Sequence, residues 1–210
     1  MTEDLPGIVR LRDRREALTL RTILTAARHL FAERGYARTP VRLIAQEAGV
    51  APQTLYAHFG SKAGVLAGLV DLLDDESGLP DLMAASGEAT DPEELLGLMA
   101  TASRQVRERC GDIVAILESG AAVDPDIRAT RAEGERRNRL GVEMIIDRVR
   151  ATGHPVADRA ADIAVALLTL GVHDSLVRDA GWSYDAYESW LRHTLITALL
   201  PGTPPEGDGA

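Results

Sequence analysis

Apolar residues recur at three- and four-residue steps along most of this chain. Between Glu16 and Arg34, the positions Leu20, Ile23, Leu24, Ala27, Leu30 and Phe31 share one face of a 3.6-residue period. Gly35 follows and suits the residue after a helix end. Thr39-Pro40 restarts a helix, with Thr39 as N-cap and Pro40 at the first helical position. Val41, Ile44, Ala45 and Ala48 are its inward side, and Gly49 stops it. A third helix opens with Ala51 at the N-cap and Pro52 next; Ala51, Leu55 and Phe59 are its buried side, and Gly60 closes it. Ser61 caps a fourth, from Lys62 to about Leu73, with Val65, Leu66, Leu69 and Val70 inward.

Asp74 to Thr90 is rich in Asp, Gly, Ser and Pro and reads as a connection between lobes, with a short helical piece at Leu82–Ala85. Asp91-Pro92, with Glu94 three residues on, is a helix start of capping-box character. That helix is expected to reach about Arg109, with a shorter one near Asp112–Gly120. Asp124-Pro125 starts a long helix to about Ala151, ended by Gly153, and Pro155–Asp179 and Ser183–Leu200 are the last two. Period-two β-branched runs are missing, so the expected fold is all-α, about nine helices. The expected division is a basic flexible arm at 1–15, a three-helix helix-turn-helix domain at 16–73, a helical domain at 74–200 and a disordered tail at 201–210. The arm carries Arg10, Arg12, Arg14 and Arg15, and the tail reads PGTPPEGDGA.

Charge sharpens this picture. The net charge is −9, which by itself argues against a polyanionic partner. Yet residues 1–70 hold 10 Lys+Arg against 6 Asp+Glu, while residues 71–210 hold 13 against 26. A basic first third on an acidic remainder fits a head that meets nucleic acid. No apolar run approaches the eighteen residues that span a bilayer, and the first residues lack the apolar core of a secretory leader. The one cysteine, Cys110, suits a reducing cytoplasm. The five histidines show no metal-ligand spacing, and no glycine-rich phosphate loop is present. His173-Asp174-Ser175 resembles a triad in miniature, but neighbours on one helix do not reach triad geometry. The expectation is therefore no enzyme, no metal and no cofactor.

A short helix, a glycine turn and a second short helix between Thr39 and Phe59 have helix-turn-helix spacing. The second helix of such a motif reads the major groove with its outward residues. Here these are Pro52, Gln53, Thr54, Ala57 and His58, with Tyr56 at the flank. The row is small, polar and free of acid. Gln53 can pair with adenine, Thr54 can reach a base or phosphate, and Ala57 can pack on a thymine methyl.

The run GYARTPVRLIAQEAGVAPQTLYAHFGSKAGVL resembles the DNA-binding segment of the tetracycline-repressor (TetR) family. The resemblance rests on Phe31 to Tyr36, Thr39, Ile44-Ala45, Ala48-Gly49-Val50, Leu55-Tyr56, His58-Phe59 and Ser61-Lys62. Two positions depart from it: Ala51 stands where the family has Ser or Thr, and Ala63-Gly64 where it has Glu after Ser-Lys. The resemblance implies phosphate contacts from Thr39, Tyr56, His58 and Lys62, and base contacts from Pro52 to His58; Arg42 can join the phosphate group. It also implies a homodimer through the last two helices, double-stranded operator DNA as partner, and a small-molecule effector that releases the repressor. Met99, Ile113, Ile116, Leu117, Met144 and Ile145 are candidate effector-lining residues. The alternative from another class is a helical small-molecule binder or enzyme with a vestigial DNA-binding head.

Overall fold

The computed structural model describes residues 6–201; the expectations for residues 1–5 and 202–210 lie outside the described residues. It is built of α1 (Pro6–Arg34), α2 (Val41–Glu47), α3 (Pro52–Phe59), α4 (Lys62–Glu76), α5 (Leu79–Glu88), α6 (Pro92–Ala121), α7 (Pro125–Ala151), α8 (Ala160–Leu167), α9 (Leu170–His173) and α10 (Tyr184–Leu199). A π-helical segment, Asp174–Asp179, follows α9. No strand occurs among the described residues.

Three stretches differ from the sequence expectation. α1 begins at Pro6, so residues 6–15 are helix rather than a flexible arm. Proline suits a helix start, and Ile8 to Arg15 contains neither glycine nor proline to stop one. The supposed connection 74–90 is mostly helix: α4 runs to Glu76 and α5 occupies Leu79–Glu88. Its ends are satisfied by side chains, which lets a turn-rich composition stay helical. The Leu79 N–H donates to the Ser77 hydroxyl (3.2 Å), and the Arg148 guanidinium donates to the Gly87 and Ala89 carbonyls (3.1 Å each). The expected single helix Pro155–Asp179 is broken. It starts at Ala160 and stops at Leu168, and Thr169 is extended (φ −68°, ψ 154°). The Thr169 hydroxyl donates to the Ala166 carbonyl at 3.0 Å, a local bond of the kind that competes with helix continuation. The expected break near residue 110, in contrast, is present as a kink: Cys110 (φ −130°, ψ 15°) leaves helical geometry inside α6.

The chain forms two compact units, and they do not divide at residue 74 alone. The first is the chain up to Leu73 together with Asp112–Arg131; the second is Asp74–Gly111 and everything from Ala132. The α6–α7 turn belongs with the first unit because specific pairs hold it there. The Arg28 guanidinium donates twice to Asp112, at 2.5 and 2.6 Å. The Tyr36 hydroxyl donates to Asp124 at 3.2 Å. Gly120 leaves room for Ile127, whose Cδ1 would lie 2.9 Å from an added Cβ.

Within the first unit α1 packs on α2 and α2 on α3, with Ile23, Ala27, Leu30, Phe31, Ile44, Ala45 and Leu55 buried. Within the second, α8 packs on α10. Its core joins Leu95, Leu96 and Met99 of α6, Val142, Ile146 and Val149 of α7, Ala160 and Ala164 of α8, and Tyr187, Leu191, Leu195 and Leu199 of α10.

Burial by itself raises the Asp112 carboxyl, but the hydrogen bond and charge of Arg28 outweigh it and hold the group below its ordinary value. A depressed carboxylate contributes stability above its unfolded pKa of about 4 and loses it as pH falls further. Asp112 is 39% exposed, so the contribution is discounted for solvent screening. Asp112→Asn is expected to cost about 1 kcal/mol at pH 7. The gap from wild type should narrow in urea titrations as pH falls below about 4.

Candidate nucleic-acid interface

The turn between α2 and α3 is set by Gly49, whose φ of 66° lies in the left-handed region that glycine enters without strain. The Val50 N–H donates back to the Ala45 carbonyl at 3.0 Å and closes the turn. α3 then starts without a side-chain cap: Ala51 has extended backbone and no hydroxyl, and Pro52 occupies the first turn. Only backbone bonds start the helix, such as Thr54 N–H to the Ala51 carbonyl at 2.9 Å.

Leu55 is fully buried and anchors α3. Phe59 is half-buried, and Ala51, expected on the buried side, is exposed. Pro52, Gln53, Tyr56, Ala57 and His58 are exposed and Thr54 is half-exposed, so the expected reading row stands open to solvent. Tyr56 is 51% exposed, which excludes a core role. Arg42, on α2, is exposed as well.

Two expected phosphate ligands are turned to structural use. Thr39 is fully buried and is not an N-cap. Its hydroxyl lies 3.0 Å from the Gly35 carbonyl and 3.2 Å from that of Leu30, so it closes the end of α1. Lys62, the only lysine, points its ammonium at the Tyr36 carbonyl (2.9 Å) and over the Tyr36 ring (4.0 Å from the centroid). Burial lowers its pKa, partly opposed by Asp124. It braces the α1–α2 turn from the start of α4.

The seat of α4 explains the departure at Gly64. A Cβ there would overlap the Phe59 carbonyl oxygen, and one at Gly68 would lie 2.8 Å from Phe59 Cε1 and 3.0 Å from Leu24 Cδ2. The two glycines, one turn apart, form a slot that receives Phe59 and so fixes the C-terminal end of α3. Ser61 still caps α4, accepting from the Gly64 N–H at 3.0 Å.

One carboxylate was missed by sequence reasoning. Glu16, on α1, brings Oε1 to 3.6 Å from Nδ1 of His58. The reading helix carries no acid, but α1 supplies one at its edge. No local signal marks this, because the two residues are 42 positions apart. A second pair joins His29 Nδ1 of α1 to Glu47 of α2 at 2.7 Å, and that hydrogen bond, with the Glu47 charge, raises the His29 pKa.

The six candidate effector-lining residues fall in both units. Met99, Met144 and Ile145 belong to the second unit, whereas Ile113, Ile116 and Leu117 belong to the first. Met99 and Ile145 are core, and Met144 is 40% exposed. The division of α6 at its kink separates them. Of the miniature triad, His173 and Asp174 meet, Nδ1 to Oδ1 at 3.0 Å, but no triad forms. Ser175 does not complete it: the other ring nitrogen of His173 has no hydrogen-bond partner. No cluster of metal-ligating side chains occurs among the described residues, and no single helix among them is long and apolar enough to cross a membrane.

Residues 23–69 match the family model described as bacterial regulatory proteins, tetR family. An uncharacterized HTH-type transcriptional regulator of Mycobacterium tuberculosis is 32% identical over 191 residues, covering 90% of this chain and 83% of that one. Among solved structures, a complex of SmeT with triclosan is similar with a TM-score of 0.71 at 23% identity, covering 91% of this chain and 99% of that one. A transcriptional regulator from Saccharomonospora viridis in complex with choline is similar with a TM-score of 0.68 at 22% identity, covering 86% and 97%.

Thr39→Val separates the two roles of that residue. Losing the buried hydroxyl is expected to lower stability by about 1–2 kcal/mol. The salt dependence of DNA binding should stay that of wild type when measured well below the melting temperature. A reduced salt slope would restore Thr39 as a phosphate ligand.

Proposed function

The chain belongs to the TetR family of bacterial transcriptional regulators, and we propose that it acts as a repressor that a small molecule releases from a palindromic operator. The observation that carries this reading is the exposed row Gln53, Thr54, Tyr56, Ala57 and His58 on a helix anchored by Leu55. Pro52 opens the row, Gln53, Thr54 and Ala57 address base edges, and Tyr56, His58 and Arg42 address phosphates. Lys62 braces the α1–α2 turn through the Tyr36 carbonyl. An open, acid-free row supports a working head over a vestigial one.

Two symmetry-related reading helices need half-sites about one duplex turn, ~34 Å, apart, so a homodimer is part of the proposal. The expected dimer surface is α8 to α10, where Ile163, Leu167, Leu176 and Trp190 remain only partly buried. Such side chains are suited to covering by a second copy. Choline and triclosan are bound to the two structural neighbours, and their shared fold supports an effector in the second unit here. Effector binding would favour the dimer conformation that fits DNA less well.

The test is a gel-shift titration on the DNA upstream of the chain's own gene across a salt series. Specific, steeply salt-dependent binding is expected. Gln53→Ala should relax sequence preference, whereas Tyr56→Phe should weaken all DNA about equally. Glu16→Gln should tighten binding a few-fold by freeing His58 for phosphate and removing a negative charge near the backbone, about 0.5–1 kcal/mol. Binding of equal strength to operator and random duplex would sink the proposal.

A further inference from the structure

The reading helix has a neighbour that runs past it. Two contacts fix the course of α1 across the motif. His29 meets Glu47, the last residue of α2, at 2.7 Å, and Glu16 meets His58, in the last turn of α3, at 3.6 Å. Beyond Glu16 the helix continues toward the N-terminus as far as Pro6. At 1.5 Å per residue, that is an overhang of about 15 Å past the His58 contact.

Burial does not hold this stretch. Arg14, Arg15, Glu16, Ala17 and Leu18 are all exposed. A helical turn takes about 3.6 residues, so five exposed positions in a row leave α1 open on every side. Leu18 is 65% exposed, and burial along the helix sets in only at Ile23. Helical stretches without a packed face are marginal in water, so this one is suited to a partner that covers it.

Its charge says which partner. Residues 6–16 hold Arg10, Arg12, Arg14 and Arg15 against Asp13 and Glu16. Of the two acids, Glu16 faces His58. The excess is positive, and it adjoins a histidine that addresses phosphates. A cationic stretch continuous with a DNA-reading helix complements a polyanion.

We propose that the overhang of α1 is a second DNA-contacting element, in which Arg14 and Arg15 lie along phosphates flanking the groove that α3 enters. The element rests on the DNA-binding reading above and adds contacts that position the protein without reading sequence. Its test is a salt series of anisotropy titrations on two labelled duplexes of equal length, the DNA upstream of the chain's own gene and a random sequence. The proteins are wild type, Arg14→Ala/Arg15→Ala and Arg14→Lys/Arg15→Lys. Alanine preserves the helix, and lysine preserves the point charge that a phosphate needs. The alanine variant is expected to bind both duplexes on the order of tenfold more weakly at low salt. Its plot of log K against log salt should be shallower by about 2 per chain, one phosphate for each arginine. The lysine variant should match wild type. On a site that wild type protects, the hydroxyl-radical footprint of wild type should reach further along both flanks than that of the alanine variant.

Equal binding of wild type to the two duplexes would sink the operator reading and leave this proposal standing, because its contacts are legible on either duplex. An unchanged salt slope in the alanine variant, a loss that lysine does not restore, or footprints of equal reach overturns the proposal. So does a change in the sedimentation of the free alanine variant with its salt slope unchanged, which would assign the arginines to a contact between copies. Should the alanine variant lose helicity by circular dichroism, Arg14→Gln/Arg15→Gln takes its place with the same expected outcomes.

Discussion

Tyr36 holds the DNA-binding unit together. Its ring packs on Phe31 at the end of α1, 5.2 Å between centroids. Its carbonyl accepts from the Thr39 backbone N–H and from the Lys62 ammonium, so the turn into α2 and the start of α4 are tied to one atom. Its hydroxyl reaches Asp124 beyond α6, and burial, with the nearby Asp124 carboxylate, keeps the phenol protonated far above neutral pH. The end of α1, the turn into α2, the start of α4 and the α6–α7 turn thus converge on one residue that is 4% exposed. The attitude of the reading helix follows from this node, because α2 and α4 are the elements that bracket it in the chain.

Periodicity and end signals made much of this legible. The helix from Pro125 to Ala151, the short helices around Gly49 and the kink at Cys110 follow from local chemistry, and local chemistry is written along the chain. The residues read as outward on α3 are its exposed or half-exposed ones. Periodicity says which side of a helix turns inward, but not what a polar group on the margin will bond to. Thr39 and Lys62 look like surface residues in a DNA-binding motif, yet their partners are carbonyls at the end of α1. Arg28 and Asp112 are 84 residues apart, and nothing local announces their pair.

The bent region after α8 shows the opposite failure. Apolar spacing from Ile163 to Leu176 predicts a continuous helix, yet the chain leaves helical geometry at Leu168 and is extended at Thr169. The diversion carries His173 into a cluster of rings that a straight helix would not assemble. Local pattern could not say that a histidine would be buried among them.

The glycine slot under Phe59 has an evolutionary meaning. α3 is located by its inner side, through Leu55 and the fit of Phe59 against Gly64 and Gly68. The outer residues contribute almost nothing to that fit. They can be replaced without moving the helix, so a new operator preference can arise from a few surface substitutions while the scaffold stays constant. The mount is fixed by its own geometry, and the text it carries is free to change.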